Sequence, residues 1–85
     1  MTEQHAIDPA GPDSVHVQVA DHIGAKIAAG ELAPGTRLSG ERQLAGDYGV
    51  SSRQIRRASA LLHERGLVVT VRGKGTFVAP EGVRQ

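Results

Sequence analysis

Apolar residues recur at every fourth position in Val15, Val19, Ile23 and Ile27, the spacing that lines one face of an α-helix. A helix is therefore predicted from a cap at Asp13 or Ser14 to about Ala29, with Gly30 as its stop. Pro34-Gly35 fits a type II turn, and Arg37-Leu38 reads as a short edge strand. From Glu41 to Asp47 there is room for about two helical turns, presenting Leu44, Ala45 and Tyr48 inward. Gly49 ends that helix and Val50 plugs the turn. Ser51-x-x-Gln54 is a capping box that opens a third helix, running to about Arg65 and closed by Gly66. Its inward positions are Ile55, Ala58 and Leu62, with Ser59 and Leu61 at the edges. The period then changes. Leu67 to Val71 is rich in β-branched residues and predicts a strand, and Thr76-Phe77-Val78 predicts its partner. The tip between them, Arg72-Gly73-Lys74-Gly75, carries two glycines that tolerate positive φ.

These elements predict an α+β fold of small size: three helices followed by a C-terminal β-hairpin wing, a winged helix-turn-helix over residues 14–79. Residues 1–13, with Pro9, Gly11 and Pro12 among polar neighbours, read as a disordered arm, and residues 80–85 as a short tail. Eighty-five residues make one small domain. Tyr48 and Phe77 are the only aromatics, so the core must be built from Val, Ile, Leu and Ala.

Composition removes most other chemistry. With no cysteine there is neither a disulfide framework nor a thiolate zinc site. His5, His16, His22 and His63 lack the i, i+4 spacing of a helical metal pair, so no metal and no cofactor is expected. Gly73-Lys74-Gly75-Thr76 is not a phosphate loop, because its lysine precedes Gly75 and a strand follows where a helix is required. No nucleophile and base are paired by spacing, so the chain does not read as an enzyme, and no small-molecule effector site is evident. The N-terminus lacks the basic start and apolar stretch of a signal peptide. No run of 18 apolar residues is present to span a membrane, and a cytoplasmic location is expected.

The near-neutral total charge hides two opposed halves. Residues 1–36 carry Lys26 against five carboxylates, a net −4, whereas residues 37–74 carry seven arginines and Lys74 against three, a net +5. A basic half is the footprint of a polyanion-binding face, although a solvated arginine-rich surface gives the same count. Helix phase sharpens the reading: Arg53 and Arg57 point nearly opposite Ile55, with Ser52 and Arg56 on one flank. A helix-turn-helix with a basic hairpin reads one DNA groove with the helix and grips the next with the wing. The candidate DNA contacts are Arg42, Ser51, Ser52, Arg53, Gln54 and Arg56 on the helices, and Arg72, Gly73 and Lys74 on the wing. Bland alternatives exist: Arg42 can pair with Glu41 or Asp47, and the wing tip can be a tight turn and nothing more.

The chain resembles the N-terminal winged-helix domain of the GntR family of bacterial transcriptional regulators. The resemblance rests on Gly30-Glu-Leu-x-Pro34-Gly35-Thr-Arg37-Leu38, Glu41-Arg42-x-Leu44-Ala45 and Tyr48-Gly49-Val50-Ser51. It continues through Ile55-Arg56-x-Ala58, Leu62, Gly66-Leu67 and Arg72-Gly73-Lys74-Gly75-Thr76-Phe77-Val78. It implies that the helix starting at Ser51 enters the major groove, that the arginines at 42 and 56 contact DNA, and that Gly73 lets the wing tip enter the minor groove. It also implies a dimer on a short palindromic operator. Because no long apolar face is left over once the small core is built, that dimer is expected to be weak in solution and completed on DNA, and a factor overlapping a promoter is expected to repress by occupancy. Two departures stand out. Ser39-Gly40 replaces the usual Pro-Ser, and Ser52 stands where the family usually has arginine, with Arg53 one place later. A shift of one residue turns a side chain about 100° around the helix. Family members usually continue into a large effector-binding or oligomerisation domain, so the alternatives are an autonomous minimal regulator and the detached DNA-reading domain of a larger one; the start at Met1 favours the first. A rival from another class is a winged helix that docks proteins as a co-regulator, which would need apolar anchors on its exposed face.

Overall fold

Where the fourth-residue stripe was expected to bury, it does: Val19, Ile23 and Ile27 are buried, joined by Ala20, while Val15 packs half-buried at the edge of the same cluster. They belong to α1, Val15–Ala28, in a computed structural model that describes residues 7–11 and 13–80. Ser14 adopts the extended backbone of an N-cap, but its hydroxyl makes no cap bond. The polar work at this end falls to Gln18, whose amide accepts from Asp8 N and donates to the carbonyls of Asp8 and Asp13 at 2.7–2.8 Å. Part of the expected arm, residues 1–6 and 12, lies outside the described residues. Its described part is tied to α1 by these bonds and by Ile7, which packs against the core. At the other end Gly30 takes φ 82°, its N–H bonding Ile27 O while Glu31 N bonds Lys26 O, the two reverse bonds of a Schellman stop.

The Pro34-Gly35 turn closes through Thr36 N to Ala33 O at 3.0 Å, with Gly35 at φ 85° as a type II turn requires. The chain then runs beside the hairpin. Leu38 N donates to Thr76 O and Val78 N to Thr36 O, both at 2.8 Å, and Arg37 bridges Phe77 in antiparallel fashion. The expected edge strand is thus a short third rung on the sheet.

Next come α2, Glu41–Tyr48, and α3, Ser52–Glu64. Between them Gly49 in the left-handed region and Val50, half-buried, make the tight turn. Ser51 Oγ accepts from Gln54 N at 3.2 Å, the forward half of the expected capping box. The return half is missing: Gln54 Oε1 is buried and has no hydrogen-bond partner. Ile55, Ala58 and Leu62 face α1 and the core, and a second Schellman stop at Gly66 turns the chain into β1, Val68–Val71. That strand pairs antiparallel with β2, Gly75–Val78, in the register Val68↔Val78, Val69↔Phe77, Thr70↔Thr76 and Val71↔Gly75. Val68 and Val78 close the core from below. Three helices and a two-stranded wing make this a winged helix-turn-helix.

Polar ties fix the helices to one another. Arg65, just past α3, pairs with Asp21 of α1 at 2.9 Å. Tyr48 of α2 meets His22 of α1 at 2.7 Å, ring against ring at 82°. Burial, and secondarily the Asp47 carboxylate, push the Tyr48 hydroxyl up to about 12, so it stays protonated at neutral pH.

Candidate nucleic-acid interface

Because the cap at Ser51 starts α3 where it does, Ile55 turns inward and Arg53, Arg56 and Arg57 turn to solvent. Ser51 is exposed as well. Ser52 and Gln54 are half-buried, and the side-chain oxygen of Gln54 is turned into the protein. The first turn of α3 therefore offers one long cation, Arg53, where two neighbouring candidates are withdrawn. Arg42 is exposed on α2 and forms no ion pair among the described residues, so its expected alternatives, Glu41 and Asp47, are not its partners. Asp47 instead accepts from Gln43. Glu41 pairs with Arg56 at 3.0 Å, joining the start of α2 to the middle of α3.

That pair is open to water, its side chains 61% and 42% exposed. Exposed ion pairs contribute about 0–1 kcal/mol, so Arg56 can exchange Glu41 for a stronger anion at small cost. The pair borders an open groove of about 530 Å³ between α3 and the wing. The groove is crossed by a polar tie at its end, where the ring of His63 bonds Ser59 O through Nδ1 at 2.8 Å and Thr70 Oγ1 through Nε2 at 2.7 Å. Thr70 and Thr76 then face each other across the hairpin. Since a carbonyl only accepts, Nδ1 carries the proton, and the ring braces the wing against the helix.

The wing tip is closed by Lys74 N to Val71 O at 2.8 Å, with Gly73 at φ 78°. A Cβ at Gly73 would meet nothing within 4 Å, so the tip is thin as well as cationic. Arg72, Gly73 and Lys74 are all exposed there, and neither cation has an ion-pair partner among the described residues. The fold thus gathers Arg42, Arg53, Arg56 and the tip cations on two elements, α2–α3 and the wing. From the sequence Arg37 reads as part of an edge strand and of the family motif, Glu41 as a possible partner of Arg42, and His63 as a histidine without metal-ligand spacing. A second glycine directly after Lys74 was the one signal that something approaches the tip closely; the partners of Glu41 and His63 had none. Among the described residues no cluster of metal-ligating side chains is present and no helix is long and apolar enough to cross a membrane.

Residues 16–78 match the family model of the bacterial regulatory proteins of the gntR family. The mannosyl-D-glycerate transport/metabolism system repressor MngR of Escherichia coli is 38% identical over 73 residues, 86% of this chain. The chain spans 30% of that curated relative's length. YtrA of Sulfolobus acidocaldarius, a GntR-family transcription factor, superposes with a TM-score of 0.82 at 33% identity, over 89% of this chain and 80% of YtrA. The AraR DBD in complex with operator ORX1 superposes with a TM-score of 0.76 at 32% identity, over 92% of this chain and all of the other.

Proposed function

The chain belongs to the gntR family of bacterial regulatory proteins, and from that membership and the placement of its cations we propose that it is a sequence-specific double-stranded DNA-binding regulator of transcription, acting in the cytoplasm as a repressor by occupancy. The observation that carries the reading is the coincidence of exposed arginines on α3 with a thin cationic tip on the wing. In this mechanism α3 enters the major groove with Arg53 and Arg56, whose planar guanidinium forks suit bidentate contact with guanine. Arg42 and Arg57 meet phosphates flanking the groove. The wing tip enters the adjacent minor groove, where Gly73 presents no side chain and Arg72 and Lys74 hold the strands beside it. Two protomers occupy the halves of a palindromic operator.

A module built to dock proteins would need apolar anchors, and the large hydrophobics exposed among the described residues are Val69 and Val71 on the wing alone. Selection of bound duplexes from a random pool, followed by titration at two salt concentrations, tests the proposal. A preferred sequence is expected, with an affinity that falls steeply with salt as phosphate contacts release counterions. Equal, salt-insensitive affinity for all duplexes, or no binding, would overturn it.

A further inference from the structure

Arg37 occupies a place that the DNA-reading residues do not explain. Its backbone is fixed on both sides: it bridges Phe77, the next residue Leu38 is buried, and Leu38 N donates to Thr76 O. From this anchor its side chain runs along β2 to the wing tip, where Nε donates to the carbonyl of Lys74 at 3.0 Å. The guanidinium lies directly over Gly75. A Cβ built there would stand 2.8 Å from Nε, closer than Cβ atoms approach, so the guanidinium would have to shift. Gly75 also holds φ 124°, a conformation that favours glycine. The missing Cβ thus leaves the guanidinium its present place over the tip, and the backbone angle separately favours glycine there.

We propose that Arg37 is a positioning residue of the wing tip, tying the Arg72–Lys74 turn to the segment that precedes α2, in addition to the His63–Thr70 brace farther down the hairpin, so that the tip cations meet DNA without first being ordered. The proposal rests on the DNA-binding reading above. The hairpin's own closing bond, Lys74 N to Val71 O, shapes the turn but does not locate it against the rest of the molecule. Arg37 supplies that second attachment from outside the hairpin. Lysine cannot replace it, because the bond uses Nε and the plane of the guanidinium spans the glycine.

The test uses the full chain with Arg37→Ala and Arg37→Lys, each with and without Arg72→Ala and Lys74→Ala together. In the free protein, backbone order parameters at residues 72–75 should fall in both Arg37 variants from the rigid range, about 0.85, toward about 0.6, with the three helices unchanged. On the selected duplex, Arg37→Ala should lower the slope of log affinity against log salt by about 1.8, the loss of two tip contacts, and Arg37→Lys should not restore it. In the chain already lacking both tip cations, Arg37→Ala should change affinity less than twofold. Unchanged order at the tip overturns the proposal. So does a loss of about 0.9 in slope that lysine rescues and that persists without the tip cations, which would make Arg37 one more phosphate contact. The order parameters are read without DNA, so a parent chain that binds no duplex would defeat the functional reading while leaving the clamp itself tested.

Discussion

At the scale of single residues, the site turns on a one-place offset. Ser52 stands half-buried at the position where the family resemblance leads one to expect arginine, and Arg53 beside it is exposed. Arg53 and Arg56 should therefore share the base readout, with Ser52 limited to a phosphate or a water. Losing one bidentate arginine contact costs about 1–3 kcal/mol and relaxes preference at one base pair of each half-site. Arg53→Ala should show both effects in a base-by-base preference profile, whereas Ser52→Ala should leave the preferred sequence intact. The reverse pattern, a new preference in Ser52→Ala and none lost in Arg53→Ala, would reduce Arg53 to a solvated charge. Residue positions of this kind were legible in the sequence because helix phase follows from spacing alone. Partners were not. Gln54 shared the exposed first turn in the sequence reading, yet its oxygen is buried, and the Arg56–Glu41 pair joins residues on separate helices whose crossing no local pattern encodes.

At the scale of elements, every helix and both strands lie where hydrophobic period and stop signals put them, within a residue or so at each end. The reason is that the ends of all three helices and the start of α3 are made by local devices: the positive φ of Gly30, Gly49 and Gly66, and the hydroxyl of Ser51. The weakest start is that of α2. Gly40 caps it with backbone in the extended region and no side-chain bond, as the Ser39-Gly40 departure led one to expect. A Cβ at Gly40 would meet nothing within 4 Å, and its φ of −66° suits any residue. Gly40→Ser should then stabilise the fold by a net few tenths of a kcal/mol to about 1 kcal/mol, the new cap and a less flexible unfolded chain together. A rise in Tm of about 4–8 °C is expected in thermal unfolding for each kcal/mol gained in a domain this small. An unchanged or lower Tm would mean that the hydroxyl disturbs the groove between α3 and the wing that Gly40 helps to line.

At the scale of the whole molecule, the questions are how two copies meet and how strongly. The wing is tied to α3 by His63 and Thr70, and α3 to α1 by Arg65 and Asp21, so these contacts hold the wing, α3 and α1 together. Its principal extents are 35 × 26 × 25 Å. Half-sites one helical turn apart lie about 34 Å from centre to centre on one face of the duplex. Only the 35 Å extent matches that separation, so two protomers with their long axes along the duplex would meet edge to edge, which favours a spacing of about 10 base pairs over a longer one. The contact they make is small. Apart from Val69 and Val71, no large hydrophobic of the described residues is exposed, so an apolar interface of the size that holds stable dimers is not offered by this surface. Dimerisation of the 85-residue chain should therefore be weak alone and cooperative on DNA. Sedimentation is expected to give a monomer at micromolar protein without DNA, and a two-to-one complex on a duplex carrying both half-sites. Inserting five base pairs between the half-sites moves one protomer to the opposite face and should abolish the cooperativity while leaving each half-site bound on its own. A tight dimer at nanomolar protein, or cooperativity that survives the insertion, would place the dimer contact on a surface other than the edges that meet across one turn of DNA.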